Sequence, residues 1–255
     1  MQRSVIRLLG MIVGLVVLSG MIIGGVAFIR DRQPDLPLVD LRWSHSYPIA
    51  SEAMSLLASA TRIRVYRNGT VIYLFADQDG TQWQQRTLDA AALQQLQEEV
   101  LEAKTLLCQE NLSLGNPEIP SHGGEITAIL TLATDTQDCT IQLFLPFASQ
   151  RTGLDKTGQQ RVFQVQDVLD SLEELYKTKG QPYQPEAITL HMFTIIDGTY
   201  RKWPFSIPLD TSNPTIVRGG EAAAILSFVG DTTFVTDDTR YVEVLALPIF
   251  PETSP

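Results

Sequence analysis

Between Leu8 and Ile29 the sequence runs for 22 residues without a charged side chain, bounded by Arg3 and Arg7 before it and by Arg30, Asp31 and Arg32 after it. A helix rises about 1.5 Å per residue, so this run reaches about 33 Å, enough to cross a hydrocarbon core of about 30 Å. The segment reads as one N-terminal transmembrane helix, with residues 1–32 as anchor and basic flanks and the lipid bilayer as the partner of residues 8–29. Cleavage is the competing reading, because Gly25-Val26-Ala27 places small residues where a signal peptidase acts, and the body would then be secreted. A signal core of about 7 to 15 apolar residues is shorter than this run, which favours retention. Arg3 and Arg7 outweigh Arg30 and Arg32, which Asp31, Asp35 and Asp40 offset. The N-terminus is therefore expected in the cytoplasm and the rest of the chain outside it, a single-pass cell-membrane topology.

Within the span, Gly10, Gly14, Gly20 and Gly24 fall in one arc of about 140° at 100° per residue, together with Gly25. A stripe of small residues lets a second membrane helix approach closely, so these four glycines are candidates for homodimer formation through the membrane. Glycine is also simply frequent in membrane helices.

The 255-residue chain carries a formal charge of -10, with 44% hydrophobic and 19% charged residues, which is ordinary globular usage. The residues beyond the anchor's flanks hold 15 basic against 28 acidic side chains. Such a body is no nucleic-acid binder, since phosphate backbones are met with a basic face, and it is repelled by an anionic membrane surface. Two cysteines are too few for a disulfide scaffold or a Cys-rich metal module.

Residues 33–61 read as a linker, with Pro34 and Pro37 stiffening its start and a short helix from about Glu52 to Ser59. Residues 62–180 form the main α+β unit. Its first signal is Asn68-Gly69 between two alternating segments, Ile63 to Arg67 and Thr70 to Phe75, the pattern of a two-residue type I' hairpin. That turn would set Val65 against Ile72 and Ile63 against Leu74, giving one apolar face. The other face would carry Arg62, Arg64, Tyr66, Val71, Tyr73 and Phe75. Of these, Arg62, Arg64, Tyr66 and Tyr73 are candidate ligand-binding residues, because cationic and aromatic side chains together grip planar or anionic groups; packing beneath another layer is the plainer alternative.

After a polar turn at Asp77 to Gly80, Thr87 or Asp89 can cap an amphipathic helix whose apolar positions Leu93, Leu96, Val100, Ala103 and Leu107 step by three and four. A second hairpin joins Ile126 to Thr134 with Cys139 to Leu145. Val165, Val168, Leu169, Leu172, Leu175 and Tyr176 then mark a second helix, closed by Gly180. The Pro-containing stretch after Gly180 divides off a smaller C-terminal α+β unit, residues 181–255. There a strand Ile188 to Ile196 turns at Asp197-Gly198 into Thr199 to Trp203, a helix runs from Glu221 to Val229, and a last strand Arg240 to Leu247 pairs with Thr232 to Val235. The fold class is α+β, antiparallel hairpins alternating with helices packed on one face of the sheet.

Nucleophile, zincin and phosphate-loop motifs are absent, and His45, His122 and His191 have no metal-ligand spacing, so neither metal nor cofactor is expected. Asp77-Gln78-Asp79-Gly80 opens like a calcium loop, but the twelfth position is Leu88 where a bidentate Glu is needed. These features favour a binding or assembly module over an enzyme, with the ligand of the soluble domain unspecified. The alternative is an envelope-associated hydrolase assembled from dispersed residues such as His122, Glu125 and Asp135. Cys108 ends the first helix and Cys139 opens a strand; in an oxidising compartment the pair is expected to form a disulfide, against the alternative of two buried thiols.

Overall fold

A single hydrogen bond decides how the first hairpin is built. In the computed structural model, which describes residues 37–45, 53, 56–57, 60–77, 80–108, 113–114, 126–132, 139–145, 156–194, 200–230, 232–237 and 239–251, the Gly69 N–H donates to the Tyr66 carbonyl at 2.9 Å. Gly69 takes φ +88°, and the Asn68 side chain accepts from the Thr70 N–H at 2.8 Å. Three residues, Arg67, Asn68 and Gly69, therefore turn the chain, and a positive φ at the third is the geometry of a turn followed by a bulge. The register is Ile63 opposite Tyr73, Arg64 opposite Ile72 and Val65 opposite Val71, one residue away from the two-residue-turn expectation. A slip of one exchanges the faces of a strand. Ile63 and Val65 share their face with Val71 and Tyr73, while Arg64 and Tyr66 share theirs with Ile72 and Leu74.

In chain order the elements are β1 Pro37–His45, β2 Thr61–Tyr66, β3 Thr70–Asp77, β4 Gly80–Thr87, α1 Ala90–Leu107, β5 Ser113–Leu114, β6 Ile126–Leu132, β7 Cys139–Leu145, α2 Lys156–Tyr176, β8 Gln181–Pro182, β9 Ala187–Thr194, β10 Arg201–Lys202, β11 Thr215–Arg218, α3 Gly220–Val229, β12 Thr232–Thr236 and β13 Tyr241–Ile249. The architecture is mixed α+β with two sheets. Eight strands form the first, in the order β5-β7-β6-β1-β2-β3-β4-β8. Two of them correct the sequence reading. Residues 37–45, expected as linker, form β1, flanked by β2 and β6; Pro37 is tolerated because it is the first residue of the strand. The stretch after the Asp77 to Gly80 turn is β4, whose Gln-rich sequence shows no apolar alternation and buries only Trp83 and Gln84.

The Ile63, Val65, Val71 and Tyr73 face is covered by α1 and α2. Leu96, Val100 and Ala103 of α1 and Val162, Val165, Val168 and Leu172 of α2 join Val39, Leu41, Leu130 and Ile141 of the sheet in one core. The first helix forms as its periodicity predicts, with the Asp89 carboxylate accepting from the Ala92 N–H at 2.8 Å as N-cap. Ser171 Oγ of α2 donates to Glu99 Oε2 of α1 at 2.6 Å. Cys108 and Cys139 lie at disulfide distance, with Cα atoms 5.3 Å apart, joining the end of α1 to the start of β7.

The second sheet has the order β10-β12-β13-β9-β11. The expected hairpin at Asp197-Gly198 is not formed: β9 pairs with β13 and β11, and β10 lies parallel to β12. The Asp-Gly dipeptide itself lies outside the described residues. Pro248 continues β13 opposite Ile188. It sits beyond Leu245, the last residue that β12 covers, so that edge is open and a missing N–H is tolerated there. Ala222, Ile225, Leu226 and Val229 of α3 pack into a second core with Ile188, Leu190, Val242 and Val244, and Tyr66, Ile72, Leu74 and Trp83 of the first sheet belong to it too.

Among the described residues no helix is long and apolar enough to cross a membrane. The run from Leu8 to Ile29, with Gly10, Gly14, Gly20 and Gly24, lies outside them, as do His122, Glu125 and Asp135.

Candidate functional site

The register of the first hairpin decides where its cations and aromatics go. Arg64 and Tyr66 point into the second core, 5% and 1% exposed. Arg64 stands opposite Asp40 of β1, and its Nε and Nη2 both donate to Asp40 Oδ2, the former at 2.9 Å. Thr61 Oγ1 donates to the same carboxylate at 3.2 Å, and half-exposed Arg42 reaches it at 3.4 Å. Above the guanidinium sits the Phe250 ring, 4.6 Å from Cζ to centroid. Burial works against the Arg64 charge; the charge of Asp40 and its hydrogen bonds outweigh it and hold the guanidinium above its ordinary value. The side chain is thus committed to a structural ion pair. Tyr73 lies on the opposite face, in the first core, and Arg62 is half-buried. The structure does not bring the four expected binding residues together on one open surface.

Tyr73 leads instead to a different place. Its hydroxyl donates to the Thr178 carbonyl at 2.5 Å, just beyond the end of α2. Burial raises its pKa, and the nearby positive charge of Arg86 partly opposes the rise. Two residues on, Gly180 passes so close that a Cβ there would lie 2.5 Å from the Gln85 carbonyl oxygen and 2.7 Å from the Tyr73 hydroxyl. This crossing brings β8 onto β4, where Gln181 pairs with Gln85 and Pro182 with Gln84.

At the crossing opens a groove of about 560 Å³, lined by Thr70, Gln85, Arg86, Thr87, Lys179, Gly180 and Gln181. Arg86 is half-buried, and among the described residues it takes part in no ion pair. Lys179 is exposed, its ammonium 5.9 Å from the centroid of the Phe75 ring. Lys177 is engaged by Glu173 at 3.1 Å and Glu174 at 2.8 Å. The lining residues are polar or cationic apart from Gly180, with two threonines and two glutamines besides Arg86 and Lys179. These residues escaped the sequence reading. The sequence marks this place only by the polar turn at Asp77 to Gly80 and by Gly180 at the close of the second helix.

Among the described residues no group of three or more His, Cys, Asp or Glu could hold a metal ion. His191 stacks on Phe193 with ring centroids 6.5 Å apart, and burial lowers its pKa. No protein-family model matches the chain, and no curated protein and no solved structure matches it.

Proposed function

We propose that the chain is a single-pass membrane protein whose acidic extracytoplasmic α+β body works as a binding or assembly module, with a ligand seated in the groove between β4 and the segment after α2. The observation that carries the binding half is Arg86: a half-buried arginine with no ion pair among the described residues, lining a concave polar surface on a chain whose formal charge is -10. An arginine in a partly desolvated setting gains most from a ligand that completes its hydrogen bonds. The anchor half rests on the uncharged run from Leu8 to Ile29 and its flanking charges, and the homodimer on the glycine arc within it.

The test is a thermal-stability screen of the full chain in a neutral detergent against neutral and charged small solutes, run beside a Thr87→Trp variant that fills the groove. A ligand at a hundred times its Kd stabilises the folded state by about 2.7 kcal/mol, readable as a rise in Tm. At least one solute is expected to raise the Tm of the native chain and leave the variant unmoved. If no solute separates the two proteins, the groove is not a ligand site. Protease added to sealed cells is expected to remove the body; protection until the membrane is opened overturns the topology.

A further inference from the structure

We propose that Asn68-Gly69 is a site of backbone self-modification, at which the chain cyclises and hydrolyses at a rate gated by the start of α1. Asn68 is the one asparagine in the sequence followed by glycine, and glycine, with no Cβ, obstructs ring closure least. The reaction needs only solvent. The Gly69 nitrogen loses its proton and bonds to Asn68 Cγ; the bond from Cγ to the side-chain nitrogen breaks, and ammonia leaves with the proton. Water then opens the succinimide at either carbonyl, so that one water is consumed, one ammonia is released, and aspartate or isoaspartate stands at position 68. The turn gains a negative charge beside Thr70, which lines the groove, and a chain whose hairpin tip has opened keeps a lasting chemical mark there.

The folded turn treats the two reacting groups unequally. Asn68 is exposed, and its Oδ1 accepts from the Thr70 N–H at 2.8 Å, a bond that favours the negative oxygen formed on attack. The electrophile is ready. Gly69 is buried, and its N–H donates to the Tyr66 carbonyl at 2.9 Å, which keeps hydroxide from the proton whose loss begins the reaction. The nucleophile is withheld, and this effect sets the rate, because a bond to the oxyanion acts only once the nitrogen is free. Gly69 is also held from the far side. The Leu88 N–H donates to its carbonyl at 2.9 Å, and the Leu88 carbonyl oxygen and Leu93 Cδ2 both lie 3.4 Å from where a Gly69 Cβ would stand. Leu88 leads into α1, whose first turn is capped by the Asp89 carboxylate on the Ala92 N–H. Freeing the Gly69 N–H therefore requires the hairpin tip and the start of α1 to part, a local opening and not the unfolding of the whole chain.

The test incubates the full chain in a mildly alkaline buffer with a neutral detergent, with and without urea and with the disulfide intact. Residue 68 is read by peptide mass spectrometry, and isoaspartate by enzymatic methylation. Modification is expected to be slower in the folded chain than in urea by about tenfold or more. Asp89→Ala, which removes the cap of α1, is expected to speed it about fivefold, and to speed hydrogen exchange of the Gly69 amide by a like factor. Leu93→Ala, which uncovers Gly69, is a second variant at the same junction and is expected to act in the same direction. Ser171→Ala removes a contact between α1 and α2 away from the turn and is expected to leave both rates unchanged. All three variants are checked by an unchanged far-ultraviolet dichroism spectrum. Equal rates with and without urea overturn the shielding, and absence of modification in urea overturns the site itself. If Ser171→Ala speeds the reaction as much as the junction variants, or if neither junction variant speeds it, the gate at the start of α1 is overturned.

Discussion

The two faces of the first sheet solve burial differently. Toward α1 and α2, the sheet presents Val39, Leu41, Ile63, Val65, Val71, Leu130, Leu132 and Ile141, and the helices answer with Val and Leu. Toward the second sheet it presents Arg64, Tyr66, Ile72, Leu74 and Trp83, and a charged pair is sealed in with aromatic rings. An aliphatic face tolerates exchange of one hydrophobe for another of similar volume, because no contact in it is directional. A face organised around a buried ion pair does not, since each partner alone is a buried uncompensated charge.

The largest effect expected from that contrast is at Arg64. Arg64→Met keeps the length of the side chain and strands Asp40 in the interior; urea unfolding is expected to show a loss of about 4 kcal/mol, moderated by the donors that Thr61 and Arg42 still offer. The double change Asp40→Leu with Arg64→Met is expected to recover most of it. A double variant as unstable as the single one would mean that the packing around the pair, and not its charge, sets the cost. Next comes the staple on the aliphatic side. Closing a loop with a sequence separation of 31 between Cys108 and Cys139 constrains the unfolded chain, and Cys139→Ser is expected to cost about 3 kcal/mol. Thiol labelling of denatured, unreduced protein should find no reactive thiol in the native chain.

At the crossing that shapes the groove, Gly180→Ala must displace the Gln85 backbone, with a loss of about 2 kcal/mol in the same unfolding assay. Leu172→Met in the first core sharpens the comparison from the other side: less than about 1.5 kcal/mol is expected, although Leu172 is as deeply buried as anything in the chain. If Leu172→Met costs as much as Arg64→Met, the two faces do not differ as described. The smallest effect concerns His191. Burial holds its pKa below the ordinary imidazole value, so the unfolded chain takes up a proton first as the pH falls. Its contribution to stability is whole above about pH 6.5 and declines below it. His191→Phe should flatten the stability profile between pH 7 and pH 5.

What was legible in the sequence follows from the same physics. α1 announced itself because Leu93, Leu96, Val100 and Ala103 repeat with the helical period and Asp89 precedes them, and both signals are local. The first hairpin was legible in existence but not in register, since Asn68-Gly69 serves both a two-residue and a three-residue loop and the difference lies in a hydrogen bond to Tyr66. β1 was hidden by its prolines: Pro34 and Pro37 read as a stiff spacer although Val39, Leu41 and Trp43 alternate with Asp40 and Arg42, and the partner that makes Asp40 a core residue is Arg64, on another strand. The groove was the least legible of all. Thr70, Arg86 and Lys179 become neighbours only through strand pairing and the passage of Gly180 over β4, and no periodicity records such a meeting.

The place of β1 in the sheet has a mechanical consequence. The strand begins at Pro37, shortly after the apolar run ends at Ile29, yet it is not at the rim: β2 lies along one side and β6 along the other. On the proposed topology, tension between the membrane and whatever the exported body holds enters the fold at this strand. A rim strand would peel away one hydrogen bond at a time. β1 is gripped on both sides and clipped by the Asp40–Arg64 pair, so a pull along its axis would load both ladders together.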